Sequence, residues 1–325
     1  MPEATTNTSD HAGAPPASGA PAAKPLAGAD PSARSSAHLD RCPPNRRTFA
    51  PPPGTRDGVL AGANWRVQPP AVPVEKHALP HEQARHYPRL RSVAEHPTRW
   101  EFPAYLDNPS CAWLQSLKEI YQMPISFPAS MSPAAGLQLH ALVLNAQPRV
   151  VVEVGTFCSV STHWIAGALA ELGGERVIHC FDDFGPVRPG PWRKATMEEG
   201  RLDFVRERLS RAGLAHLARF HPGDSPTEIT RARAELEREG GVDLAMIDGD
   251  HTAPGALQDL WAVEPVLKTG GLVILHDTFP DQCGDHQGPR YIVDYVNDVA
   301  TGLYQAIDLY LAPLNYGMGV LRRIG

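Results

Sequence analysis

The sequence predicts an α/β fold: a seven-stranded, mostly parallel sheet with helices on both faces, finished by a C-terminal antiparallel hairpin. Apolar, β-branched runs alternate with helix-periodic segments from residue 149 to about 301, the pattern of right-handed βαβ crossovers. Polar side chains recur at the carboxyl ends of those runs, at Glu153, Asp182, Asp248 and His276-Asp277. Ligands of open α/β sheets bind at that edge, near the switch point in strand order. The last two runs, 307–312 and 318–322, flank a short loop with Asn315 and Gly317, which predicts the hairpin.

The chain has 325 residues, 42% of them hydrophobic, enough for a full-sized core. A formal net charge of -6 gives no basic footprint for nucleic acid. Cys42, Cys111, Cys158, Cys180 and Cys283 are scattered without CxxC spacing, so neither a disulfide framework nor a zinc knuckle is expected. No 18-residue apolar run and no signal-like N-terminus is visible, which predicts a cytoplasmic protein without a membrane span.

Residues 1–55 are rich in Ala, Pro, Ser and Gly and read as a disordered tail. Residues 56–130 read as an irregular, aromatic-rich extension with Trp65, Tyr87, Trp100, Trp113 and Tyr121 as anchors, suited to a lid or a homo-oligomer contact. Within it a helix is expected over 109–120, with Asn108 as N-cap. Residues 131–325 form the main domain. Ser132-Pro133 opens a helix that ends before Pro148. Then follow strand 149–154, helix 159–172, strand 176–181, a charged helix over 193–212, strand 218–221, helix 226–239 and strand 242–247. A helix ending at Gly270-Gly271, strand 272–275 and a helix over 289–301 precede the hairpin.

The stretch Val150-Val151-Val152-Glu153-Val154-Gly155-Thr156 passes from a buried strand into a glycine turn and the helix from Ser159, whose free N–H groups suit an anion. A nicotinamide dehydrogenase would need G-x-G-x-x-G, which is missing after Gly155. Phe181-Asp182-Asp183-Phe184 offers a carboxylate at a strand tip, able to accept two ribose hydroxyls. Met246-Ile247-Asp248-Gly249-Asp250-His251 and Leu275-His276-Asp277 end two further strands. Their carboxylates Asp248 and Asp277 are candidate ligands for a divalent cation such as Mg²⁺, with His276 beside them; capping of helices is the alternative role. His251 suits a general base by its pKa, and Asp250 is its rival.

These motifs together resemble the class I S-adenosylmethionine (SAM)-dependent methyltransferases. Glu153-x-Gly155-Thr156-Phe157-x-Ser159-x-Ser161-Thr162 is similar to the E-x-G-T-x-x-G-x-S-T of bacterial small-molecule O-methyltransferases, with Ser159 where that family has glycine. The Asp248…Glu264-Pro265-Val266-Leu267…Gly270-Gly271…His276-Asp277 pattern resembles the macrocin, macrolide-sugar and cephalosporin-type relatives. In those relatives a carboxylate tends to stand at the position of His276.

The resemblance implies a Rossmann-like fold and a SAM site built from Glu153, Gly155, Thr156, Phe157, Ser159, Ser161, Asp182 and Asp248, with Asp224 and Ser225 lining the adenine pocket. It implies methyl transfer to a hydroxyl of a small natural product, assisted by Mg²⁺. A catalytically inactive SAM-binding partner of a biosynthetic enzyme is the second reading. The crowding expected from Ser159 falls on the cofactor site.

Overall fold

The computed structural model describes residues 99–188, 195–279, 287–309 and 316–325. The tail, Trp65, Tyr87, Cys283 and the Asn315 turn lie outside the described residues. Helices α1 (Ala112–Gln122) and α2 (Pro133–Ala146) precede a Rossmann-like alternation. It runs β1 (Val150–Val154), α3 (Val160–Leu172), β2 (Val177–Asp182), α4 (Arg201–Arg211), β3 (Ala218–Pro222), α5 (Ser225–Arg238), β4 (Val242–Ile247), α6 (Ala253–Val263), β5 (Leu267–His276), α7 (Gln287–Asp298), β6 (Tyr304–Leu309) and β7 (Met318–Arg323). None of the described helices is long and apolar enough to cross a membrane.

The seven strands are ordered β3-β2-β1-β4-β5-β7-β6. Strands β1 to β5 pair in parallel, and β7 is antiparallel to both β5 and β6, which is the expected hairpin. Strand order reverses between β1 and β4, and ligands of open α/β sheets bind outside the carboxyl ends of the strands at such a switch point.

Side-chain alternation sorts the strand residues into two cores. Val151, Ile178, Cys180, Leu244, Met246 and Ile274 face the layer of α1 to α4, around Trp113, Leu139, Trp164 and Leu209. Val150, Val152, Val154, Phe181, Ala245 and Leu275 face α5 to α7, around Ile229, Leu260 and Ile292. Both faces of the central strands are dry, which is why they read as unbroken apolar runs. The described part of the aromatic extension belongs to the first layer. Trp100 meets Phe127 edge-on, and Trp164 donates its indole N–H to the Tyr121 hydroxyl at 2.9 Å.

Several boundaries differ from the sequence reading. Ser132 caps α2 as expected, accepting from Ala135 N–H. Asn108 does not cap α1. It accepts from Ser110 N–H in a tight turn, and the helix starts after Cys111. Among the described residues, the helix expected over 193–212 is confined to α4, because Gly200 adopts a left-handed conformation and Met197 pairs with Val187 in an isolated bridge. Helix α6 stops at Val263 rather than running to Gly270. Pro265 cannot continue an α-helical ladder, so a 3₁₀ turn hands over to β5, which begins at Leu267 and passes through Gly270-Gly271 with a register shift against β4.

Candidate active site

Glu153 follows Val151 to the α3 side of the sheet and is fully buried. Its carboxylate accepts the hydroxyl protons of Thr156 (2.9 Å), Ser161 (2.7 Å) and Thr162 (2.7 Å). Glu153 thus holds the loop's own hydroxyls, with Ser161 and Thr156 spent on it. Burial pushes its pKa up to about 7 against the pull of those three donors.

Gly155 has φ +89°, and a Cβ there would sit 2.1 Å from the backbone oxygen of Asp248. The glycine therefore serves two needs, a left-handed turn and the close approach of the β1 loop to the end of β4. Asp248 N–H completes that approach by donating to Val154 O at 2.9 Å.

Ser159 sits at φ +69° with its side chain wholly buried and its hydroxyl donating to Cys158 O at 2.6 Å. The missing glycine consequently shows itself as backbone strain at Ser159, with the serine hydroxyl turned onto Cys158 O. Phe157, Phe184, Asp277 and Tyr316 also have positive φ. Strain of this kind gathers at functional sites.

At the tip of β2, Asp182 accepts Phe157 N–H (2.8 Å) and Phe184 N–H (2.7 Å). Arg201, itself buried, closes on both oxygens and reaches Asp183 as well. Burial raises the Asp182 pKa despite Arg201, while the exposed Asp183 is lowered, chiefly by its bond from Gly185 N–H and its charged neighbours. Arg201 was invisible in the sequence: it is one arginine among several on α4, and only the fold turns it toward β2.

Asp224 and Ser225 end at the start of α5. Asp224 is its N-cap, accepting from Thr227 N–H and hydroxyl, and Ser225 donates to the buried Asp259 at 2.6 Å. Their carboxylate and hydroxyl thus have protein partners at the position expected to line the adenine pocket.

The ends of β4 and β5 bring four side chains together. His251 Nε2 lies 3.2 Å from Asp248 Oδ1 and 3.2 Å from Asp277 Oδ2. His276 Nδ1 lies 3.1 Å from Asp277 Oδ1 and 3.6 Å from Asp248 Oδ2. Two imidazoles and two carboxylates thus form a nearly closed charge ring.

Burial opposes both imidazolium forms, yet the carboxylates prevail, lifting His251 to about 10 and His276 to about 9. Asp248 is lowered by the same contacts. Gly288, at the start of α7, donates its N–H to His251 O at 2.8 Å and fixes the loop that carries the histidine.

Asp250 is not part of this ring. It is exposed, turns toward α6 and accepts Thr252 N–H at 2.8 Å. The ligand atoms of Asp248, His251 and Asp277 lie within 4.8 Å of one another, a spacing that could hold a metal ion, and His276 stands beside the same two carboxylates. His276 Nε2 is buried without a hydrogen-bond partner. Thr278, which the sequence reading passed over, bonds Asp308 at 2.5 Å, and Arg290 pairs with the same carboxylate, tying the β5 end to β6 and α7.

Residues 152–278 match the family described as "Methyltransferase domain". This segment is a methyltransferase domain. It runs from within β1 to just past β5 and contains Glu153, Gly155, Asp182, Arg201, Asp248, His251, His276 and Asp277, while Gly288, Arg290, Asp308 and Tyr316 lie beyond it. Three solved structures are similar to the chain, each with a TM-score of 0.48.

The O-methyltransferase TomG from Streptomyces achromogenes, involved in tomaymycin synthesis and bound to SAM, is 19% identical over 70% of this chain and 92% of its own. An O-methyltransferase from Bacillus cereus in complex with SAH is 18% identical over 64% and 90%. A methyltransferase from Geobacter sulfurreducens is 16% identical over 68% and 94%. These likenesses are distant, and the roles of residues in the methyltransferase domain rest on its own geometry.

Proposed function

We propose that the protein is a SAM-dependent O-methyltransferase that methylates a hydroxyl of a small natural product, of sugar or phenolic type, with help from a divalent cation. One observation carries the reading: the left-handed Gly155 turn of β1 lies against the backbone of Asp248, so the loop expected to hold the methyl donor adjoins the Asp248–His251–His276–Asp277 ring. A Cβ at Gly155 would clash with the Asp248 backbone, so only glycine lets the β1 loop adjoin the end of β4. In this reading Glu153, Thr156 and Ser161 shape the loop, while Gly155, Phe157 and Ser159 bring its backbone to the methionine part. Asp182 faces the ribose, and Asp224 and Ser225 border the adenine. When bound, SAM supplies an electrophilic methyl on a positively charged sulfur.

Transfer of that methyl to the acceptor oxygen would release the acceptor's proton, so the site must offer a base beside the crevice. His251 stands where such a base is needed, but with a pKa of about 10 it already holds its second proton. It can accept a proton only once its two carboxylates are neutralised in another way.

The donor set fits a divalent cation held by the hard oxygens of Asp248 and Asp277, with the His251 Nε2 lone pair kept off the metal so that it stays available for the acceptor's proton. Held there, a cation would compensate both carboxylates and lower the acceptor's pKa.

The test is methyl transfer from labelled SAM to hydroxylated acceptors, with Asp248→Asn compared with the parent protein and both assayed with and without EDTA. Asp248→Asn is expected to abolish transfer while SAM still raises the melting temperature. Unchanged turnover would overturn the assigned centre. Retained SAM binding with no transfer by the parent protein on any acceptor would favour the inactive partner role.

A further inference from the structure

A second cluster of ligating side chains lies on β2 and the edge strand β3, away from the ends of β4 and β5. Phe181 of β2 is in register with His221 of β3, and His179 with Arg219. Alternation puts His179, Phe181 and His221 on one face, under α5. Their rings run nearly parallel, 17° between the two histidines and 12° between Phe181 and His221.

His179 Nδ1 and His221 Nε2 face each other at 2.9 Å. At that separation only one of the two nitrogens carries a proton; the other presents a lone pair. His179 Nε2 lies 2.8 Å from Glu239 Oε2, so the carboxylate takes the Nε2 proton and leaves Nδ1 as the lone-pair nitrogen. A histidine oriented by a carboxylate on its far nitrogen is the arrangement found behind metal-binding imidazoles. Glu235 completes the set, with a carboxylate oxygen within 4.8 Å of a ring nitrogen of each histidine.

We propose that His179, His221 and Glu235 form a metal site for a divalent ion of the zinc type, with Glu239 orienting His179. Two imidazoles and one carboxylate suit Zn²⁺, Co²⁺ or Ni²⁺ better than Mg²⁺. With metal–nitrogen bonds of about 2.0–2.1 Å, tetrahedral nitrogens lie about 3.3 Å apart, so the rings must part by about 0.4 Å. His221 is only partly buried and can turn by that amount.

The proton on His221 Nε2 passes through solvent to its Nδ1, so both ligands stay neutral. Arg219 now donates to Glu235 at 2.7 Å and also to Glu239; it is half-exposed, and releasing Glu235 costs little. Glu235 is itself about one-third exposed, which leaves an entry path and room for a water as fourth ligand. A bound ion would fasten the edge strand β3 to α5.

The test titrates the full-length protein carrying Asp248→Asn, which disables the first cluster, with Co²⁺ and Zn²⁺. One equivalent of Co²⁺ with the strong visible absorption of a four-coordinate site is expected, together with a Zn²⁺-dependent rise of several degrees in Tm. Both should vanish on adding His221→Asn or Glu235→Gln. If His221→Asn fails to fold, the more exposed Glu235→Gln decides. Absence of the Co²⁺ equivalent, or its survival in Glu235→Gln, overturns the proposal.

Discussion

Gly155→Ala tests the junction on which the functional reading depends. The added Cβ would lie 2.1 Å from Asp248 O and 2.8 Å from Gly249 N, whereas real Cβ contacts do not fall below 3.0 Å. The β1 loop and the β4 end must therefore part by about 0.9 Å, or the alanine must leave φ +89°.

A left-handed conformation costs a non-glycine residue about 1–2 kcal/mol, and overpacking adds about 1–3 kcal/mol, so the variant should lose about 2–5 kcal/mol of stability. Because the displaced backbone is that of Asp248, transfer should fall about a hundredfold, the usual effect of a 1 Å misplacement. Denaturant unfolding gives the first number, and turnover with labelled SAM the second. A variant within about 0.5 kcal/mol of the parent, the error of a neutral surface change, with parental turnover would refute the argument.

Glu153 makes stability depend on pH. Its folded pKa is raised from an ordinary 4.5 to about 7, so the native state holds the proton more tightly than the unfolded chain. Its contribution is complete below about pH 4.5 and is lost as pH rises to about 7, by about 3 kcal/mol. Glu153→Gln removes this dependence, and the stability difference from the parent should grow in the mutant's favour across that window; a flat difference in urea melts would contradict the assignment. Ser159→Gly should relieve the strain at φ +69° and raise stability by about 1 kcal/mol, with SAM binding unharmed; a lower Tm would count against it. Arg201→Met leaves the buried Asp182 charge without its partner and should cost about 3–5 kcal/mol, whereas Asp183→Asn, on an exposed side chain, should cost under about 1 kcal/mol. Equal losses in denaturant melts would show that the pair is not the buried lock described.

The sequence by itself determined the order of elements and the edge at which the site forms. Val150–Val154 and Val242–Ile247 are buried on both faces, so local composition suffices to mark them as strands. The carboxylates Asp182, Asp248 and Asp277 could be placed because a strand's end is a one-dimensional property. Boundaries set by backbone conformation were less legible: Pro265 was present to be read, but the early start of β5 at Leu267 depends on its bulged pairing with β4.

Only the tertiary structure decided which polar atoms meet. It spent Thr156 and Ser161 on Glu153, gave Asp182 to Arg201, turned Asp250 away toward α6 and put His251 between Asp248 and Asp277. It also joined His179 to His221 across two strands, 42 residues apart in sequence. Hydrogen-bond and charge partnerships act over a few ångströms in space, and no spacing along the chain encodes them until the sheet has fixed its register.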